Sequence, residues 1–168
     1  ESKKCNVARV YEDKQAFWNA ESFMWSRKIE KETREMIQQE LQFLAQGKNL
    51  DLGCGAYSYI SSIGFDLSPQ MLKLNDRCIE KVQGDVENKL PFQDKSFDSA
   101  TAIFVLNYVK NYEQLIQEIK RVLKPKGYFV MVLSATKINQ WQRQKEVNRF
   151  TGKRWKSIME KEGFKVTL

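Results

Sequence analysis

The stretch Asn49-Leu50-Asp51-Leu52-Gly53-Cys54-Gly55, followed shortly by Gly64-Phe65-Asp66-Leu67-Ser68, decides the fold of this chain. Residues 48–52 read as a short apolar strand that runs into a glycine loop, and residues 63–67 as a second strand that ends at an acidic side chain. Ser68 is placed to cap a helix with Pro69 at its first position, carrying Met71 and Leu72 inward. Strand, glycine loop, strand and helix thus follow one another directly.

The pattern extends in both directions. Upstream, residues 25–46 put Ile29, Thr33, Met36, Ile37, Leu41 and Leu44 on one face of an amphipathic helix. Downstream, a third strand around residues 81–83 leads to Gly84-Asp85, and residues 99–104 form a β-branched and aromatic run suited to a buried strand. Tyr112, Leu115, Ile116, Ile119, Val122 and Leu123 recur at helical spacing, closed by Pro125 and Gly127 before a strand at residues 128–133. Thr151 can cap a helix running through Glu162 with Trp155, Ile158 and Met159 inward, and residues 164–168 begin a last strand. Alternating strands and helices predict an α/β chain: a Rossmann-like, doubly wound, mostly parallel sheet of six or seven strands with helices on both faces.

At 168 residues and 42% apolar composition the chain is expected to form a single domain. It contains no apolar run approaching the roughly 18 residues that cross a membrane, and its N-terminus lacks the zones of a signal peptide. A soluble, cytoplasmic protein is expected. Cys5, Cys54 and Cys78 are widely spaced, and with no histidine present a metal site is not expected. Of the net charge of +7, +6 falls in residues 134–168, which carry nine basic and three acidic side chains. That excess is either a solvated surface or a face for an anionic partner.

In a sheet of this kind ligands bind beyond the carboxyl ends of the strands, near the point where strand order reverses. Gly53 and Gly55 allow a tight turn and close backbone approach there, and Asp51 can accept hydrogen bonds at the strand end. Asp66, at the end of the second strand, is suited to accept two ribose hydroxyls, and Asp85 adds an acceptor after the third. The competing assignments are a helix cap for Asp66 and a Gly-Asp turn for Asp85.

With these residues in view, the sequence resembles the class I S-adenosylmethionine-dependent methyltransferases, in particular the small type 11 branch. The resemblance is carried by LDLGCG (50–55), GFDLSPQML (64–72), GDVENKLPFQDKSFD (84–98) and LIQEIKRVLKPKGYFVMV (115–132). It implies S-adenosylmethionine as cofactor and S-adenosylhomocysteine as product. It also implies the Gly53 and Gly55 backbone, with Asp51 and Cys54 in the same loop, beside the methionine part. Asp66 and Leu67 would meet the ribose, Asp85 and Val86 the adenine, and Phe104 the reactive end. By the same resemblance residues 1–46 are a helical lid over the cofactor, residues 47–133 the cofactor-binding core, and residues 134–168 a basic, acceptor-side segment.

Two departures stand out. The family's glycine motif commonly has a third glycine where this chain has Tyr57, and only fourteen residues separate Asp51 from Asp66. The first crossover therefore has room for a turn or two of helix at most. A clipped helix harms a dinucleotide site, which needs the helix N-terminus for a pyrophosphate, more than a phosphate-free cofactor. Tyr57, Tyr59 and Ile60 are available to fill the uncovered face.

A sulfonium-activated methyl group needs an aligned acceptor and a dry site rather than a protein nucleophile. Without histidine, a base could come only from Asp, Glu or Tyr. No Pro-Cys pair and no Asn/Asp-Pro-Pro-aromatic motif follows the fourth strand. Asn107 and Tyr108, with Tyr11 from the lid, are the acceptor-side candidates. The acceptor is either a small molecule under the aromatic lid or RNA bound by the basic segment 137–156, where Trp141, Arg143, Lys145, Arg149, Phe150, Lys153 and Arg154 interleave charge with rings. The alternative function is an inactive scaffold or partner subunit. The chain stops within the expected last strand, which would leave an edge for a small activating protein.

Overall fold

The computed structural model describes residues 14–29, 31–133 and 146–168. Helix α1 (Lys14–Lys28) and helix α2 (Lys31–Leu41) precede a short 3₁₀ turn (Gln42–Leu44) and strand β1 (Asn49–Leu52). Then come β2 (Ser62–Asp66), α3 (Pro69–Leu74), β3 (Cys78–Gln83), β4 (Phe97–Ile103), α4 (Tyr112–Val122), β5 (Leu123–Val132) and α5 (Gly152–Lys161). The five strands form one sheet in the order β3-β2-β1-β4-β5, and every pairing is parallel. Strand order reverses between β1 and β4, so the loop after β1 and the loop after β4 flank the same crevice.

The two sheet faces differ in chemistry. Leu50, Leu52, Phe65, Ala100 and Ala102 form one continuous core with Leu115, Ile116, Ile119 and Val122 of α4 and Trp155 and Met159 of α5. On the other face β1 and β4 carry Asn49, Asp51, Ser99 and Thr101, all buried. These polar groups satisfy one another: Asn49 Nδ2 donates to Ser62 Oγ (2.8 Å) and Thr101 Oγ1 (3.0 Å), Ser99 Oγ to Asn49 Oδ1 (2.8 Å), and Thr101 Oγ1 to Asp51 Oδ1 (2.9 Å).

The crossover from β1 to β2 contains no helix at all; residues 53–61 are turns. A helix would satisfy its own backbone, whereas an irregular loop laid on a sheet must find partners. Those partners are the polar residues of this face and its rim. Ser58 Oγ donates to Asp51 Oδ2 (2.7 Å), Asn75 Nδ2 to the Gly55 carbonyl (3.1 Å) and to Ser58 Oγ (3.0 Å), and Ser62 Oγ to the Ile60 carbonyl (2.8 Å). The apolar cover comes from upstream. Ile37 and Leu41 of α2, with Leu44, pack on Tyr59, Ile60 and Ile103 in a second buried cluster.

Several expectations are corrected. The helix expected over residues 25–46 is two helices meeting near Ile29, and Met36, expected inward, is 58% exposed. After the break, α2 turns Ile37 and Leu41 to the sheet and carries Met36 to the solvent side. Residues 164–168 form no strand: Phe164 and Val166 pack against the core without joining the ladder, so the described residues contain five strands rather than six or seven. The strand expected at residues 128–133 begins earlier, since β5 starts at Leu123, directly where α4 ends, and includes Pro125. No described helix is long and apolar enough to cross a membrane.

Candidate functional site

The crevice at the carboxyl ends of β1, β2, β3 and β4 is built from the residues the strand ends present. Gly53 and Gly55 both adopt left-handed backbone, with φ of +62° and +58°. A Cβ on Gly53 would lie 2.7 Å from Val105 Cγ2, so a side chain there is excluded by space as well as by conformation. The Cys54 amide donates to the Phe65 carbonyl (3.2 Å), which ties the loop to β2. At the end of β4, Phe104 also takes a left-handed conformation (φ +59°), uncommon for a bulky residue, and its amide donates to the Val132 carbonyl at 2.8 Å.

Asp66 is almost fully buried where β2 ends. Its Oδ2 accepts the Gly55 amide and its Oδ1 the Ser68 amide, each at 2.8 Å. Burial pushes its pKa up against the pull of those two amides. Asp85 accepts the Glu87 amide at Oδ1 (2.9 Å), while its Oδ2 lies 2.6 Å from Lys14 Nζ. The same ammonium pairs with Glu87 Oε2 at 2.6 Å, and Glu87 Oε1 accepts the amides of Lys110 (2.6 Å) and Asn111 (2.7 Å). Burial opposes the charge on Lys14, but the two carboxylates outweigh it and its pKa rises.

One cleft is lined by Gly53, Gly55, Asp66, Leu67, Asp85, Val86, Phe104 and Tyr108, eight residues that the sequence singled out. It is also lined by Trp18 of α1, one of the aromatics of the expected lid, and by Lys14, which the sequence did not single out. The Trp18 ring stands edge-on to Tyr108 with centroids 5.0 Å apart. Helix α1 is fastened to the rim through Gln15 Nε2, which donates to the Leu67 carbonyl (3.2 Å), and through Asn19 Oδ1, which accepts the Ser68 hydroxyl (2.5 Å). Ser68 caps α3 as expected, accepting the Met71 amide at 3.1 Å.

Asp51 and Cys54 stand apart from this cleft. They line an adjoining, smaller one with Ile29, Arg34, Tyr57 and Tyr59, and the two clefts share Gly53, Ile103 and Phe104. Burial raises the Asp51 pKa to about 7 despite its bonds from Ser58 and Thr101. Cys54 and Cys78 are free thiols, and among the described residues no group of side chains could hold a metal ion. Asn107 lines neither cleft: its Nδ2 donates to the Asn148 carbonyl (3.1 Å), and its own carbonyl accepts the Val147 amide (2.8 Å). Tyr11 lies outside the described residues, as do Trp141, Arg143 and Lys145.

A parallel sheet with a glycine turn after β1, a buried carboxylate ending β2 and an acidic turn after β3, all on one crevice, is the fold shared by the class I S-adenosylmethionine-dependent methyltransferases. Residues 50–131 match the methyltransferase domain of the type 11 family. Among named relatives, a demethylmenaquinone methyltransferase of Staphylococcus saprophyticus is 31% identical over 146 residues, covering 77% of this chain and 62% of that protein. A sterol 4-C-methyltransferase of Caenorhabditis elegans is 32% identical over 113 residues, 56% of this chain and 33% of the relative. The chain thus spans less than two thirds of the length of these relatives. Among solved structures, a SAM-dependent methyltransferase from Thermotoga maritima, described as a possible histamine N-methyltransferase, shares the fold with a TM-score of 0.64 at 24% identity, over 79% of this chain and 72% of that one. A putative methyltransferase of Haloferax volcanii, solved in complex with the Trm112 methyltransferase activator, aligns with a TM-score of 0.60 at 19% identity, over 87% and 75%.

Proposed function

We propose that this chain transfers the methyl group of S-adenosylmethionine to a small, largely apolar acceptor held beneath α1. The observation that carries this reading is the single cleft whose lining joins the strand-end residues Gly53, Gly55, Asp66, Asp85 and Val86 to the rings of Trp18, Phe104 and Tyr108.

The residues fit the cofactor. The left-handed glycine turn leaves room that a Cβ would fill, and Asp66 is a buried carboxylate opening on a cleft otherwise rich in apolar groups. Asp66 would hold the ribose hydroxyls with Leu67 alongside, Asp85 and the Val86 backbone the adenine, and the Gly53–Gly55 turn the amino-acid part. The cofactor supplies a methyl group already activated on a sulfonium. What remains for the protein is to align an acceptor lone pair and keep water out. Trp18 and Phe104 exclude water, and Tyr108, edge-on to Trp18, faces the same space. Asp51, whose raised pKa would suit a base, has both oxygens engaged by Thr101 and Ser58 and serves the loop instead.

The small, apolar acceptor is favoured over RNA by the described part of the basic segment. Phe150 is packed edge-on against Tyr112 and Trp155 with the Arg154 guanidinium 4.4 Å from its centroid, so its faces are already engaged and offer no platform for a base. The relatives named for menaquinone and sterol methylation point the same way. A small activating protein could pair with β3, an edge strand among the described residues, where Ile79 is 79% exposed.

Incubating the protein with methyl-labelled S-adenosylmethionine and fractionated cell extract tests this. Label is expected in the fraction extracted by organic solvent; label in RNA would overturn the acceptor assignment.

A further inference from the structure

Among the described residues, Arg34 is the charged side chain with a buried polar atom that finds no partner. It sits on α2 and reaches the smaller cleft, where it meets Gly53, Phe104, Tyr57 and Tyr59. Its Nε is buried and has no hydrogen-bond partner, and among the described residues no carboxylate pairs with its guanidinium. Leaving a buried donor on a charged group unsatisfied is unfavourable, and a bound acceptor would recover that loss.

The guanidinium is not loose. Its carbon lies 5.0 Å from the centroid of Tyr57, and the Arg77 guanidinium carbon lies 5.2 Å from the same centroid. Arg77 is itself anchored, donating from Nη2 to the Tyr59 carbonyl at 3.1 Å. Tyr57 is further braced edge-on by Tyr59 with centroids 5.1 Å apart. A planar cation held against an aromatic ring in the lining of a cleft is arranged to bind a carboxylate in fixed geometry.

The missing crossover helix explains why such a cation is needed. A helix starting just after the glycine turn would direct its N-terminal amides and positive dipole end at an anionic group lying on that turn. Residues 53–61 form no helix, and the position of the third glycine is Tyr57. We propose that Arg34, steadied by Tyr57, binds the carboxylate of the cofactor's methionyl group and so replaces the helix terminus that this chain lacks. Both departures of the loop then belong to one device: the helix is lost, and the tyrosine in the glycine's place holds the compensating charge.

This inference rests on the assignment of the cleft to S-adenosylmethionine, and the test separates the two. Calorimetric titration compares S-adenosylhomocysteine, which has the methionyl carboxylate, with 5′-methylthioadenosine, which lacks the amino-acid part, on the wild-type protein and on Arg34→Gln. The variant is expected to bind S-adenosylhomocysteine about tenfold to a hundredfold more weakly while its affinity for methylthioadenosine stays within about twofold. Arg34→Lys, which keeps the charge without the planar fork, should fall between. Equal loss for both ligands would mean that Arg34 only supports the fold, and unchanged affinity for both would mean that the carboxylate lies elsewhere; either overturns the inference. If neither ligand binds the wild-type protein, the cofactor assignment falls with it. The wild-type protein alone gives a second measure, since decarboxylated S-adenosylmethionine should bind about tenfold more weakly than the intact cofactor; equal affinities would refute the contact.

Discussion

Asp66 serves two purposes with two oxygen atoms. It fixes the glycine turn through the Gly55 amide and the start of α3 through the Ser68 amide, and it keeps further lone pairs toward the cleft. Loss of the carboxylate should therefore weaken cofactor binding through both the ribose and the turn. Asp66→Ala is expected to reduce affinity for S-adenosylhomocysteine by about 1–3 kcal/mol, with far-ultraviolet circular dichroism unchanged. Asp66→Asn, which keeps one acceptor oxygen, should lose less than the alanine variant. Titration calorimetry on the three proteins checks the order. The glycines and the acidic strand ends were legible in the sequence because the topology alone sends them to one crevice. Arg34 and Lys14 were not, because they lie on helices upstream of the sheet, and helical periodicity says which face is apolar but not where the helix docks.

Elements show where sequence patterns mislead. The strands, including the buried run at residues 99–104, could be read from short apolar and β-branched stretches, but what covers the polar face of β1 and β4 could not. Asn49, Ser99 and Thr101 bond to one another and to Ser62 and Asp51 beneath a helix-free loop, a partner set that no periodicity in the sequence announces. Helix α2 takes over the cover that a crossover helix would have given, so its apolar residues should matter more than those of a peripheral helix. Leu41, 2% exposed among Tyr59, Ile60 and Ile103, is the strongest case. Leu41→Ala is expected to cost about 2–5 kcal/mol in urea unfolding, whereas Met36→Ala, at a position 58% exposed on the same helix, should stay within about 0.5 kcal/mol. Helix α1 is a different kind of element, attached to the cleft through Gln15, Asn19 and Lys14 as well as Trp18. Trp18→Ala should open the cleft to water and raise the dissociation rate of S-adenosylhomocysteine about tenfold in stopped-flow measurements, and an unchanged rate would count against a lid.

Across the whole molecule, the hydrogen-bonded chain beneath the loop gives stability an unusual response to pH. Asp51 links Thr101 on the sheet to Ser58 in the loop, and burial holds its folded pKa at about 7, well above the ordinary carboxylate value of 3.8. The folded protein therefore keeps a proton that the unfolded chain has released between about pH 4 and pH 7. By linkage, the stability contributed by protonated Asp51 is complete below the unfolded pKa and declines as pH rises through the folded one. The slope approaches about 1.4 kcal/mol per pH unit within that window. Asp66, raised in the same direction by burial, adds to the trend rather than opposing it. Urea unfolding of the cofactor-free protein should accordingly show greater stability near pH 5.5 than near pH 8. Asp51→Asn places a neutral amide between Thr101 and Ser58 at every pH, so the variant should be less sensitive to pH across that range. A variant that keeps the wild-type slope would remove Asp51 as its source and assign the dependence to other carboxylates.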